Sequence, residues 1–349
     1  MRLLFVYYVM NEAGSAQDVH NYARVARRLG HEVVVYGKDP MSPFHLSKEV
    51  ATADAVVFIF EWTTQLRYGD GLDLARLLDQ VPRRKRIVID CDGAYNDAIT
   101  VEGDYNHRDA ESSRRWVEVC DSIADRIYQP TLHPKRPNVR PFLFHAYDPA
   151  WEQSLDFRGK EYGMVYVGHS KFRWGPMERV LRAIEPHRER VGRLAVVGHG
   201  WDALPPWAKP MDIEDNFYTD KDYLRKMGVE FVPPVPSEEV IGWMGKGTFS
   251  PVIYRPLFSH LRLVTCRTFE TPAAGTLPLF GLDAEYVREI YGERALELIL
   301  PVDRPEEKVR DMVSRPDHYA EIVHGIRRRL TERHSYEVRL RELLRIVAG

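Results

Sequence analysis

Three cysteines in 349 residues, Cys91, Cys120 and Cys266, are too few and too widely spaced for a disulfide scaffold or a thiolate metal cluster. A reducing compartment suits them, and the cytoplasm is the expected location. Charge excess is missing too: 49 basic residues against 51 acidic ones leave a net charge of -2. Such balance gives no global field for nucleic acid or an anionic membrane, so the expected partner is small or neutral, with no nucleic acid. No apolar run reaches the length of a membrane span, and Met1 to Val9 reads as a buried first strand rather than a leader. Neither a short internal repeat nor a low-complexity tract is present.

What the chain does contain is an alternation of apolar runs and helical patterns, which predicts parallel sheets with crossover helices. In the first half the runs are Met1 to Val9, Val33 to Tyr36, Ala55 to Phe60 and Arg86 to Asp90. Met10 to Ala16 is expected as a loop. A helix then carries Val19, Tyr22, Ala23, Ala26 and Leu29 on one face and stops at Gly30. A second series runs through Met164 to Gly168, Leu194 to Gly198, Val229 to Val232 and Leu277 to Phe280. The fold class is therefore α/β, with two doubly wound Rossmann-like domains. The proline-rich stretch Pro130 to Pro149 separates them, placing the boundaries at 1–150, 151–330 and a terminal helix at 331–349.

The densest local signal is Cys266-Arg267-Thr268-Phe269-Glu270-Thr271-Pro272-Ala273-Ala274-Gly275-Thr276 before the strand Leu277 to Phe280. Phe269, Ala273 and Ala274 have the spacing of a buried helix face, Pro272 is expected near the first turn, and Gly275 supplies the stop. Glu270 is the carboxylate on this helix. Beside the carboxyl ends of parallel strands, where helix starts favour anions, a carboxylate can accept from a ribose diol; as a bland alternative it pairs with Arg267. Earlier, Gly168-His169-Ser170-Lys171-Phe172-Arg173 follows a strand and precedes a helix from about Pro176 to Ile184. Gly168 lets a backbone approach an anion, and Lys171 and Arg173 can neutralise a diphosphate as it leaves. Gly198-His199-Gly200-Trp201-Asp202-Ala203 matches a dinucleotide pattern, but Pro205-Pro206 follow and no helix is expected, so it reads as a turn with Trp201 over the cleft. Arg327-Arg328-Arg329 reads as a solvated helix face.

Tyr166-Val167-Gly168, Val197 to Trp201, Val229 to Pro236, Arg267 to Gly275 and His334 to Arg339 stand in the order found in CgeB-like glycosyltransferases, which this chain resembles from Met164 to Leu344. That resemblance implies a GT-B fold, two Rossmann-like domains facing a cleft. It also implies transfer of a sugar from a nucleotide-sugar to an acceptor hydroxyl with retention. Carried over residue by residue, Glu270 binds the donor ribose, Arg173 or Lys171 holds the diphosphate, and Ala274, Gly275 and Thr276 supply backbone donors near the phosphates. Gly198 and Arg267 fall on the same donor side. One departure stands out: the related pattern pairs two glutamates, and counting back eight positions from Glu270 reaches Arg262.

The first half then presents the acceptor. Its candidates are Glu12, Gly14 and His20 around the first loop and helix, His145 in the segment leading to the second domain, and Asp92. The last ends a buried strand in Asp90-Cys91-Asp92-Gly93, with Asp90 expected to be tied to backbone. Histidines give no closed ligand set: His31, His45, His133, His145 and His199 are scattered, so no protein metal site is expected. The donor is a co-substrate rather than a tightly bound cofactor, and any divalent ion accompanies its diphosphate. The terminal stripe Tyr336, Leu340, Leu343, Leu344 and Val347 is expected to pack back on the first domain. A GT-B nucleotide-sugar epimerase and a non-catalytic nucleotide- or glycan-binding protein are the alternatives.

Overall fold

The computed structural model describes residues 1–7, 14–36, 46–61, 74–104 and 109–349. Its first sheet has seven parallel strands: β1 (Arg2–Val6), β2 (Glu32–Tyr36), β3 (Leu46–Ser47), β4 (Ala55–Phe60), β5 (Arg86–Asp90), β6 (Ile127–Gln129) and β7 (Val139–Pro141). They are ordered β3-β2-β1-β4-β5-β6-β7. The second sheet has five, β8 (Tyr162–Val167), β9 (Leu194–Val197), β10 (Val229–Val232), β11 (Gly247–Val252) and β12 (Leu277–Phe280), ordered β10-β9-β8-β11-β12. Every pairing between these strands is parallel, as alternating strands and crossover helices require. The interior strands β4 and β8 are buried along their whole length, because helices cover both faces.

Helices α1 (Gly14–Arg28), α2 (Leu74–Gln80) and α3 (Ala110–Ile123) belong to the first sheet. The second carries α4 (Trp174–Ile184), α5 (Lys221–Lys226), α6 (Val240–Gly245), α7 (Cys266–Ala273), α8 (Ala284–Tyr291), α9 (Pro305–Ser314) and α10 (Pro316–His334). The chain ends in α11 (Tyr336–Ala348), which crosses back: Tyr336, Leu340 and Leu343 join the apolar core between α1 and the first sheet. Four strands escaped the sequence pattern, β3 and β6 because they are only two and three residues long. Segment 130–149, read as a linker, still contributes β7 to the first sheet, and β11 was masked by Pro251. Gly14 to Ala16, expected in a loop, open α1.

Pro272 lies in the last turn of α7, not the first, since the helix starts at Cys266 with the Thr265 N–H donating to Thr268 Oγ1 at 3.1 Å. Proline there leaves the Thr268 carbonyl without its helical donor, and the Tyr291 hydroxyl takes that place at 3.0 Å. Gly275 is not in a left-handed conformation; a Cβ on it would meet the Ser154 carbonyl oxygen at 2.6 Å, so close chain approach demands glycine. The arginine triplet is also not a solvated face. Arg327 is buried and donates to the carbonyls of Pro272, Ala273 and Ala274, which end α7, and to Gln153. Arg329 does the same for Glu289 and Ile290 at the end of α8, leaving Arg328 exposed.

The two sheets meet through few but specific contacts. Arg255, after β11, grips Asp104 of the first domain with Nε at 2.7 Å and Nη2 at 2.6 Å. The Val264 N–H donates to the Pro130 carbonyl at 2.6 Å, and His133 Nε2 lies 2.8 Å from Glu289. Among the described residues no helix is long and apolar enough to cross a membrane.

Candidate active site between the two sheets

Parallel strands deliver their carboxyl ends to one edge of each sheet, and the contacts above bring these edges together. From the second sheet, β8 ends in Gly168, whose φ of +154° and a would-be Cβ contact of 2.9 Å to the Tyr166 hydroxyl leave room only for glycine. Next to it, Gly198 ends β9 with φ +138°; a Cβ there would run into the Gly168 carbonyl oxygen at 2.5 Å. Its N–H is spent on the Val232 carbonyl, so Gly198 lets two loops pack rather than offering a donor. No helix opens after it. Trp201 is buried in the core instead of covering the cleft, with its indole N–H on the Gly168 carbonyl at 2.7 Å and its ring edge-on to Tyr166.

The loop after Gly168 concentrates positive charge. Arg173 Nη1 donates to His169 Nδ1 at 2.8 Å and to the Lys171 carbonyl at 3.0 Å. Burial, with Arg173, Lys171, Arg255 and Arg267 around it, pushes His169 well below its ordinary range, so the ring is neutral and accepts. Lys171 is depressed to about 8, first by burial and then by Arg255, while Asp92 and Asp104 across the cleft pull the other way. Burial and the guanidinium groups of Arg255 and Arg267 also act against the charge on Arg173. Arg255 has Asp104 and Arg267 has Glu270; among the described residues no carboxylate pairs with Arg173.

Glu270 is buried and ion-paired with Arg267, one helical turn earlier, and the Arg267 Nε donates to the Val167 carbonyl at 2.9 Å. The pair thus locks the start of α7 against the end of β8. Ala274, Gly275 and Thr276 are elsewhere. They precede β12 and therefore sit at the amino edge of the sheet, opposite the cleft. Their N–H groups are used by the Glu270 carbonyl, Gln153 Oε1 and the Ala274 carbonyl, so phosphate contacts from this turn are ruled out by topology. Arg262, at the position of the missing glutamate, has φ +50° and pairs with Glu285 at 2.6 Å and Asp283 at 3.3 Å.

From the first sheet come the carboxylates. Asp92 follows β5 and is half-buried, within electrostatic reach of Lys171. Its neighbour Asp90 is fully buried and accepts from the N–H groups of Ala94 and Tyr95 and from Gln129 Nε2, a turn-forming role. His145 is buried with Nδ1 2.8 Å from Asp18 Oδ2, and the Tyr336 hydroxyl donates to Asp18 Oδ1 at 2.7 Å. Burial opposes charge on His145, but Asp18, Glu61 and Glu270 outweigh it and raise its pKa. Asp18 and Glu270 line one narrow crevice with Gln17, Trp151, Cys266 and Tyr336. His20 is exposed and, two residues from Asp18, points to nearly the opposite side of α1. Gly14 is the first residue of α1; Glu12 lies outside the described residues.

Sequence reasoning passed over Asp18, Glu61, Asp104 and Arg255. Glu61 carried the same signal as Asp92, a carboxylate directly after a buried strand, and was legible. Asp18 was not: a lone acid in a helical stripe resembles a surface residue until its partners, 127 and 318 residues away, are seen.

Residues 173–345, just under half of the chain, match the family model described as glycosyl transferase-like. Among solved structures, an alpha-glucosyltransferase in complex with UDP and a 13-mer DNA superposes with a TM-score of 0.62 at 13% identity, covering 100% of this chain and 99% of that one. The T4 phage enzyme BGT in complex with UDP and Mn2+ gives 0.56 at 11%, covering 99% of both chains. A DNA-modifying beta-glucosyltransferase in the presence and absence of uridine diphosphoglucose gives the same three values. These likenesses establish the GT-B fold across the full length. No curated protein matches the sequence.

Proposed function

We propose that this protein transfers a sugar from a uridine diphosphate sugar, held by the second domain, to an acceptor hydroxyl presented by the first. The observation that carries the reading is Arg173: a half-buried guanidinium bonded to a neutral imidazole and a carbonyl, with Arg255, Arg267 and Lys171 close by. Burying a charge without a counter-ion is costly, and a site that does so is built for a ligand that brings one. A diphosphate fits, and its negative charge grows as the glycosidic bond breaks. Arg173 and Lys171 therefore stabilise the transition state more than the bound donor.

Glu270 has one role in this reading, accepting from the donor ribose or sugar once Arg267 has fixed its position. Across the crevice, Asp92 stands where it can receive the proton of the acceptor hydroxyl, and His145 with Asp18 forms the wall on that side. Retention follows from the family resemblance; transfer with inversion would make Asp92 the general base. A divalent ion, where used, is held by the diphosphate.

The test is UDP binding by calorimetry, followed by UDP release from UDP-glucose, in the wild type and in Arg173→Ala. The reading expects saturable binding that the substitution weakens, and UDP release slowed by about 100-fold or more, as loss of a donor to the developing charge does. A wild type that binds no nucleoside diphosphate overturns it.

A further inference from the structure

Glu61 follows the last residue of β4 and is set at the cleft edge of the first sheet by a strand buried along all six positions. The Ser15 backbone N–H, in the first turn of α1, donates to its carboxyl group. Its other side is unsatisfied: Oε2 is buried and has no hydrogen-bond partner among the described residues. A buried oxygen left without a partner costs roughly 1 to 3 kcal/mol, a penalty folded proteins rarely carry without a use for it.

Its surroundings say what that use is. Asp18 on α1, Asp92 after β5 and His145 lie within electrostatic reach of the carboxyl, as do the Tyr7 hydroxyl at the end of β1, the Cys91 thiol and, from the second domain, the Cys266 thiol. Glu61 therefore sits among the acceptor-side groups, on the far side of the cleft from the cations of the β8 loop. Burial, reinforced by Asp92 and Asp18 against the opposing pull of His145 and the Ser15 N–H, holds it protonated up to about 8. Buried, and with Asp92 and Asp18 both acting against its charge, Glu61 is the carboxyl group that stays neutral. It keeps a proton, and a carboxylic acid beside carboxylates presents both a donor and acceptors, the complement of a hydroxyl pair.

We infer that Glu61 holds a hydroxyl group of the acceptor through the unpartnered Oε2, and that the acceptor at this point is a neutral, hydroxyl-bearing molecule. The inference rests on the transfer reading above. It adds the contact and its chemistry: a neutral polyol is accommodated by this acidic wall, while a phosphate or carboxylate placed there meets Asp18 and Asp92 as like charges. Above about pH 8 Glu61 ionises, its donor is lost, and a third negative charge joins the wall.

The experiment measures two quantities on the full chain: the Kd for UDP, and UDP release from UDP-glucose with water and with glycerol as hydroxyl probes, from pH 6 to 9.5. Expected is an unchanged Kd in Glu61→Ala with UDP release down about tenfold or more, the loss of one well-placed hydrogen bond to substrate. Glu61→Gln, which keeps a donor but cannot ionise, restores part of that rate and makes the fall above pH 8 shallower, the remainder belonging to Lys171. Turnover by Glu61→Ala equal to wild type, or an alkaline fall as steep in Glu61→Gln as in wild type, overturns the inference and leaves the donor site standing. Loss of UDP binding in the variants assigns Glu61 to the donor and overturns it as well. A wild type that binds UDP but releases none with either probe overturns both this inference and the transfer reading. Should Glu61→Ala fail to fold, the pH profile of Glu61→Gln decides.

Discussion

The Arg255 guanidinium closes on both carboxylate oxygens of Asp104, a residue 151 positions earlier in the first domain, and the Leu257 N–H adds a third bond to the same carboxylate at 3.1 Å. Asp104 is buried, and Arg255 also lies over the rings of Phe172 and Phe258. A single acid thus binds together the first domain, the start of the short helix Pro256–His260 and, through Arg255, the loop carrying Lys171 and Arg173.

Removing Asp104 should loosen the closed arrangement rather than unfold either domain, because each sheet has its own core. Asp104→Ala leaves a largely buried Arg255 without its carboxylate, a loss of about 2 to 3 kcal/mol for such a pair. Small-angle scattering is expected to show a larger radius of gyration, with circular dichroism unchanged. An unaltered scattering curve would show that the other interdomain contacts suffice.

Arg173 should trade stability for function. In the ligand-free protein its charge is uncompensated, so Arg173→Met is expected to raise the melting temperature while cutting UDP affinity. Opposite signs in two measurements are hard to obtain from a purely structural residue. A variant both less stable and still able to bind UDP would contradict a diphosphate-holding role for Arg173.

Arg327 is expected to be among the most sensitive positions of the second domain although it contacts no ligand. Four carbonyl oxygens depend on its guanidinium at the end of α7. Arg327→Ala should cost roughly 3 kcal/mol, since buried acceptors lose charged donors, whereas Arg328→Ala should be nearly silent. Urea unfolding of the two variants side by side checks the contrast.

Acid sensitivity has a definite source in His334. Burial, then Arg339, Arg329 and Arg333, hold its folded pKa down to about 3, against an ordinary value near 6.5. The native state therefore keeps the ring neutral where the unfolded chain protonates it. The stability this contributes is complete above about pH 6.5 and is lost progressively as pH falls toward 3. Because His145 is raised and titrates with the opposite sign, the comparison must be between wild type and His334→Gln. The variant's stability should fall less steeply between pH 6.5 and 4, as read by chemical denaturation; parallel curves would remove His334 as the cause.

The alternation of apolar runs with helical stripes was enough for two parallel sheets, since period and burial follow from local side-chain chemistry. The cationic loop Lys171 to Arg173 was legible for the same reason, a glycine turn between strand and helix. Local pattern failed where a residue's meaning depends on a distant partner. Ala274 to Thr276 had the composition of a phosphate turn but fell at the wrong edge of the sheet, because only strand direction says which end of a helix faces the cleft. Arg327 and Arg329 looked like solvent charges until α10 laid them over the ends of two other helices.

By itself, then, the sequence determined the class of fold, the contrast between a second half with a cationic loop and a first half with carboxylates at its strand ends, and the edges on which these groups gather. Tertiary structure alone decided which of those groups meet. Asp18 is joined to Tyr336 and His145, Asp104 to Arg255, and Glu61 keeps an oxygen without a partner among the described residues. Charge and burial are properties of a place in the folded molecule, set by chain segments hundreds of residues apart, and no window along the chain contains them.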